Sequence, residues 1–177
     1  KVESEPSDWS GTYLIVCESE GVAFNGSLND IDVANNCKNV HISDNQIVSN
    51  AETDAMAFYI NTIQDGYSVQ SENGIFIGIT DGENHIETSP TKAILNIISY
   101  NDNNGVYIKG TSSVKNYAIR YNNKDCRFRY YMYSNNLPIQ LYKLNQTSSA
   151  YTYYTTSLNI EVTANNYGYS TWYSTVP

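Results

Sequence analysis

No stretch of this sequence approaches the roughly 18 consecutive apolar residues of a membrane-spanning helix. No segment repeats apolar residues at i, i+3, i+4 and i+7 over three turns, so long amphipathic helices are excluded as well. The opening residues, Lys1-Val2-Glu3-Ser4-Glu5-Pro6, lack the apolar centre of a signal peptide and begin without Met. The expectation is a segment of a longer chain whose export signal lies upstream. Histidine is limited to two copies and cysteine to three. Cys17, Cys37 and Cys126 show no C-x-x-C spacing, which argues against a zinc site. They read as buried thiols packing as small hydrophobes, with one disulfide plus a spare thiol as the other reading. Cysteine usage does not fix the redox compartment.

Basic residues are also few. Ten Lys and Arg face 18 Asp and Glu, for a formal net charge of −8. The imbalance is uneven. Residues 1–90 carry two lysines against 15 acids, whereas residues 91–177 carry eight basic residues against three acids. Such polarity places an electropositive face on an acidic body. The overall acidity argues against nucleic acid as a partner.

What is abundant is tyrosine, with 17 copies in 177 residues. Tyr favours strands and buries its ring while keeping its hydroxyl wet. Short apolar-alternating runs recur every eight to twelve residues, separated by Gly, Asn, Asp and Ser, the pattern of a sandwich or barrel. The spacing predicts strands over 12–18, 22–25, 39–43, 46–49, 57–61, 67–71, 75–80, 85–88, 95–100, 106–109, 117–122, 127–131 and 139–144. Ile75, Ile77 and Ile79 alternate with Phe76 and Gly78. Cys126, Phe128 and Tyr130 alternate with Arg127, Arg129 and Tyr131, which puts the guanidinium face in solvent.

The turns have a stereochemical basis. Asp65-Gly66, Glu72-Asn73-Gly74, Asp81-Gly82 and Asp102-Asn103-Asn104-Gly105 place Gly or Asn where a tight turn needs positive φ. The last of these lacks the spaced acids and terminal Glu of a calcium loop. A weak repeat runs strand, Gly turn, strand, turn, strand from Phe58, again from Leu95, and more loosely from Thr12, at roughly 37–45 residues apart. Ile139-Gln140-Leu141-Tyr142-Lys143-Leu144 supplies a last strand to close against the first. The expected fold is all-β: a closed, β-trefoil-like barrel over residues 8–144, with an unsymmetric barrel as the other reading. Residues 1–7 read as an upstream linker. Residues 145–177 read as a linker and the start of a following β domain, or as an extra hairpin.

Together, Asp8-Trp9-Ser10-Gly11-Thr12-Tyr13-Leu14-Ile15-Val16, Val22-Ala23-Phe24-Asn25-Gly26-Ser27-Leu28, Gly66-Tyr67-Ser68-Val69-Gln70-Ser71, Phe128-Arg129-Tyr130-Tyr131 and the 139–144 strand resemble a β-rich accessory module. That module family is uncharacterised. It is appended to secreted and surface proteins of gut commensal bacteria, after nuclease, phosphatase or peptidase domains and before a C-terminal β domain. The resemblance covers about residues 7–144, and the tail Tyr167-Gly168-Tyr169-Ser170-Thr171-Trp172-Tyr173 is similar to the opening of the domain that follows. It implies a secreted or cell-surface location and an accessory role beside neighbouring domains. It assigns no site residue.

Catalytic motifs are missing. His41 lies in an alternating strand and His85 beside a turn, and neither belongs to a nucleophile or metal motif. The closest carboxylate pairs, Asp30/Asp32, Glu52/Asp54 and Glu83/Glu87, sit in polar, turn-rich segments where solvated carboxylates are ordinary. No Gly-rich loop leads into a helix to hold phosphate. No cofactor or metal is implied, and no enzyme. Trp9, just before the first strand, reads as a plug for the barrel end. The suggestive constellation runs from Lys115 to Tyr133, where five basic residues interleave with aromatics. One reading is a hairpin with rings inward and arginines paired to the acidic half. The other is a ligand face, in which Tyr131 and Tyr133 stack on sugar rings while Arg120, Arg127 and Arg129 bond hydroxyls. The expected function is a non-catalytic module binding a glycan or other cell-surface ligand, with a ligand-free structural spacer as its rival.

Overall fold

The computed structural model of the chain describes residues 1–113, 115–132 and 136–145, and it divides into two units, Lys1–Leu144 and Asn145–Pro177. The expectations for the C-terminal tail, including Trp172, lie outside the described residues.

The all-β expectation holds. The strands are β1 (Gly11–Cys17), β2 (Val22–Phe24), β3 (Cys37–Asn39), β4 (Phe58–Ile63), β5 (Gly66–Ser71), β6 (Phe76–Gly78), β7 (Glu87–Ser89), β8 (Ile97–Asn101), β9 (Gly105–Lys109), β10 (Tyr117–Asn122), β11 (Arg127–Met132) and β12 (Gln140–Lys143). One antiparallel sheet runs β3-β2-β1-β4-β5-β6-β7, with β12 on β1; the other runs β11-β10-β9-β8. Bridges cross between them: Tyr67 pairs with Asn96 beside β8, and Val106 pairs with Ile139 beside β12. The last strand pairs with the first in the register Tyr13–Lys143 to Val16–Gln140.

Period-two patterning explains most of these elements. Tyr13, Ile15 and Cys17 of β1 point into the main core, as do Phe58 and Ile60 of β4 and Val106 and Ile108 of β9. The centre is aromatic. Phe24 stacks on Phe128 at 5.2 Å between centroids and lies 4.8 Å from Phe58, and Tyr121 lies 4.8 Å from Phe128. Rings so placed contribute beyond their buried area. Trp9 is buried in the same core and donates its indole N–H to Glu5. Residues 1–7, expected as a linker, are tied to this body, with the Val2 amide donating to Leu141 O at 2.8 Å.

The predicted strand over 46–49 does not form. Asp44 and Asn45, both at positive φ, make a tight turn in which Ser43 and Gln46 exchange backbone bonds. The chain then enters a single helical turn, α1 (Ala51–Asp54). There the Asn50 side chain accepts from the Glu52 and Thr53 amides, and the Thr53 hydroxyl accepts from the Asn50 amide.

Two strand entries require glycine. A Cβ on Gly66 would lie 2.6 Å from Asn96 O, and one on Gly105, which also has positive φ, would lie 2.3 Å from Ile139 O. Both are points where β5 and β9 meet the neighbouring strand across the bridges described above.

Two buried asparagines act as clips. Asn36 donates to Ile31 O and Phe128 O and accepts from the Phe128 amide, each at 2.8 Å. Asn96 donates to Ile77 O and Ile94 O and accepts from the Tyr130 hydroxyl. These bonds pair buried polar groups across the core.

Candidate functional site

The basic-aromatic constellation folds as the hairpin β10–β11, in the register Arg120–Arg129, Asn122–Arg127 and Ala118–Tyr131. Alternation sends Tyr117, Ile119, Tyr121, Phe128 and Tyr130 into the core. Directly opposed residues share a face, so Arg120, Arg127, Arg129 and Tyr131 come together on the other side. The neighbouring strand β9 adds Tyr107 and Lys109 there, since Val106 and Ile108 point inward.

This face is not the solvated guanidinium surface that alternation suggested. Arg127 donates from Nη2 to Asp125 Oδ2 at 2.6 Å and from Nε to the Tyr131 hydroxyl at 3.3 Å. Arg129 donates from Nε to Asp32 Oδ1 at 2.6 Å and from Nη1 to Asn84 O at 3.1 Å. Both arginines are half-buried, and Tyr131 keeps only 7 % of its surface exposed, so its ring offers no open platform. The acid-rich first half and the Asn84 loop have folded over the hairpin. Arg120 is different: it is 7 % exposed, and its guanidinium lies 4.1 Å from the Tyr107 ring centroid. Tyr133 lies outside the described residues.

The edge of the hairpin meets β3. Cys37 Sγ lies 3.7 Å from the Tyr121 hydroxyl, and the Cys126 thiol donates to Asn123 O at 3.7 Å. Burial, then the two thiols, push that phenol well above the ordinary tyrosine range. Burial also pushes the Cys17 and Cys37 thiols up.

The remaining candidates are engaged separately. His85 lies 3.5 Å from Asp81, while His41 is exposed on another segment. Asp32 holds Arg129, Asp54 accepts from the Ser49 hydroxyl, and Glu87 accepts from Thr80. No three metal-ligating side chains cluster among the described residues.

A second place was missed by sequence reasoning. The turn between β8 and β9 borders a concave pocket of about 150 Å³, lined by Tyr100, Asp102, Asn103, Asn104, Val106 and Gln140 among others. Its walls are fixed from behind. Asn101 Oδ1 accepts from the Asn103 amide and the Asn104 side chain, Gln140 accepts from the Glu18 amide, and the Tyr100 amide donates to Glu5. Tyr100, which also packs against the main core, borders the pocket beside Lys1, one acid and three amides, a set that can orient a small polyhydroxylated group. Drug-sized sites begin at roughly 300 Å³, so this smaller pocket suits one ring or a terminal group. The available signal was Tyr100-Asn101-Asp102-Asn103-Asn104, an aromatic followed by an acid-amide run, which turn chemistry alone already explained.

No family model, curated protein or solved structure matches this chain.

Proposed function

We propose that this chain is a non-catalytic accessory module of an exported bacterial protein, folded as a β-trefoil-like closed barrel, that binds a glycan beside Tyr100. Barrel closure is supported by a continuous round of pairings. β1 lies on β4, β4 on β5, the Tyr67–Asn96 bridge leads to β8, β8 lies on β9, the Val106–Ile139 bridge leads to β12, and β12 lies on β1. The pairs β2–β3, β6–β7 and β10–β11 stand outside that round, one per unit. Strands β1, β5 and β9 each open on a glycine, Gly11, Gly66 and Gly105, which supports a threefold repeat.

The observation that carries the binding reading is the pocket, where Tyr100 stands beside Asp102, Asn103, Asn104 and Gln140. The chemistry is stacking plus hydroxyl recognition, with no bond made or broken. Glycan-array screening of wild type against Tyr100→Ala and Asn103→Ala tests it. The expected result is binding that falls at least tenfold, about 1.4 kcal/mol, in each variant. Silence of folded wild type on all glycans rejects the reading. The internal pairing of Arg127 and Arg129 favours a second reading, a structural spacer, and array silence selects it.

A further inference from the structure

Arg120 is the unusual charge of this protein. A buried guanidinium is stable only when its charge is countered and its N–H groups are bonded. Arg120 Nη1 has no hydrogen-bond partner among the described residues. The Tyr107 ring takes one face of the guanidinium but supplies no in-plane acceptor. The cross-strand neighbour is Arg129, a like charge, and Lys109 Nζ lies 5.2 Å from the same Tyr107 ring. The two carboxylates bonded to this face are committed, Asp32 to Arg129 and Asp125 to Arg127. Six residue pairs between β10 and β11 hold the arrangement in place.

We infer that Arg120 is the anion-recognising element of a binding site on the outer face of β9–β11, taking the carboxylate or sulfate of an acidic saccharide. The guanidinium fork matches a planar or tetrahedral oxyanion through paired N–H bonds, which an ammonium cannot reproduce. Arg120 is only 7 % exposed and its Nη1 is closed to solvent, which excludes a whole ring and requires the cover over that nitrogen to open for an anionic terminal group. The saccharide carrier rests on the glycan reading above; the oxyanion contact does not.

Binding of a polyuronate hexamer, a sulfated hexasaccharide, neutral hexamers and inorganic sulfate should be compared for wild type, Arg120→Met, Arg120→Lys and Tyr100→Ala. Wild type is expected to prefer acidic over neutral hexamers at least tenfold. Arg120→Met should erase that preference while melting no lower than wild type, because it removes an unbonded buried charge. Arg120→Lys should lose most of the preference although it keeps the charge. Equal binding of acidic and neutral hexamers, retained preference in Arg120→Met, or clear destabilisation of that variant overturns the inference. So does the absence of any binding, sulfate included. Arg120-dependent sulfate binding with no saccharide bound would keep the anion site and reject its glycan carrier. Loss of neutral binding in Tyr100→Ala alone would do the reverse.

A separate observation concerns the cysteines. The segment entering β3 is laced to the β10–β11 turn by Asn35 N to Asp125 O at 3.1 Å and by the Asn36–Phe128 clip. Cys37 follows the laced Asn35 and Asn36 directly, and Cys126 lies between their partners Asp125 and Phe128, while Cys17 is fully buried in the core. We propose that Cys37 and Cys126 form a disulfide by exchange with a small-molecule disulfide. Two thiols give up two protons and two electrons, and the exchanging disulfide is reduced to two thiols. After exposure to oxidised glutathione, the intact mass should fall by two hydrogens and a peptide containing both cysteines should appear. Cys17 should remain reduced, and Cys37→Ser should abolish the link. Three alkylatable thiols after oxidation, or stable mixed glutathione adducts only, would overturn it.

Discussion

Replacing Asn36 with Ala removes a side chain with three bonds, each 2.8 Å long, two to the Phe128 backbone of β11 and one to Ile31 O in its own segment. Asn36 is fully buried, and so is Phe128. Truncation therefore leaves the Phe128 amide, the Phe128 carbonyl and the Ile31 carbonyl without this partner. Each buried polar group left unbonded costs about 1–3 kcal/mol, and partial relaxation brings the expected total to about 3–5 kcal/mol. Against the roughly 5–15 kcal/mol that holds an ordinary domain, this is a large share. Urea unfolding followed by tyrosine and tryptophan fluorescence gives the difference. With a slope of about 2 kcal/mol/M, the midpoint should fall by about 1.5–2.5 M with the slope unchanged. Asn36→Asp should be comparably harmful, since it keeps acceptors where donors are needed. A loss below about 1 kcal/mol in Asn36→Ala would show that the clip is replaceable and would refute this reasoning.

Two buried phenols should respond oppositely to hydroxyl deletion. Tyr13→Phe should be neutral or slightly stabilising, because that hydroxyl is buried without a partner among the described residues. Tyr130→Phe removes the bond to Asn96 and leaves a buried acceptor unpaired. That loss should cost about 1–3 kcal/mol, read as a lower melting temperature. Alkaline stability should fall with pH. Burial, then nearby Asp8 and Tyr67, push Tyr13 up to about 12. The unfolded state therefore loses its proton first, and circular dichroism should show stability intact below about pH 10 and declining towards pH 12. Gly105→Ala brings a Cβ against Ile139 O, whereas Gly74→Ala, also at positive φ, meets only open space. The first should lower stability by more than about 3 kcal/mol and the second by only about 1 kcal/mol.

Strand positions were legible because burial alternates along them, as Tyr13, Ile15 and Cys17 or Val106 and Ile108 show. The closing pair β12–β1 was legible too, since the 139–144 run has the same alternation as 12–18. The segment 46–49 was misread because Gln46-Ile47-Val48-Ser49 has strand composition, yet two residues at positive φ just before it turn the chain into α1. The clips at Asn36 and Asn96 were hidden, as an asparagine in a polar run looks like turn chemistry whether it bonds locally or across the core. At the candidate site, the register of β10–β11 was readable from Arg127, Phe128, Arg129 and Tyr130. What covers Arg129 was not, because Asp32 and Asn84 reach it from 97 and 45 residues away. The difference between Arg120 and Arg129 arises from those distant partners, whereas Arg127 is paired locally by Asp125 and Tyr131.

The pairing of β12 with β1 has a mechanical meaning. Leu144 N bonds Thr12 O at 2.8 Å, so the first strand of this body begins where its last strand ends. Tension applied through the two ends would first peel away the anchored residues before β1, then load the Tyr13–Lys143 rung and open the ladder bond by bond, like a zip pulled at its slider. A body tethered this way yields at low force instead of resisting in shear, and closing it again needs only the last strand to find its neighbour.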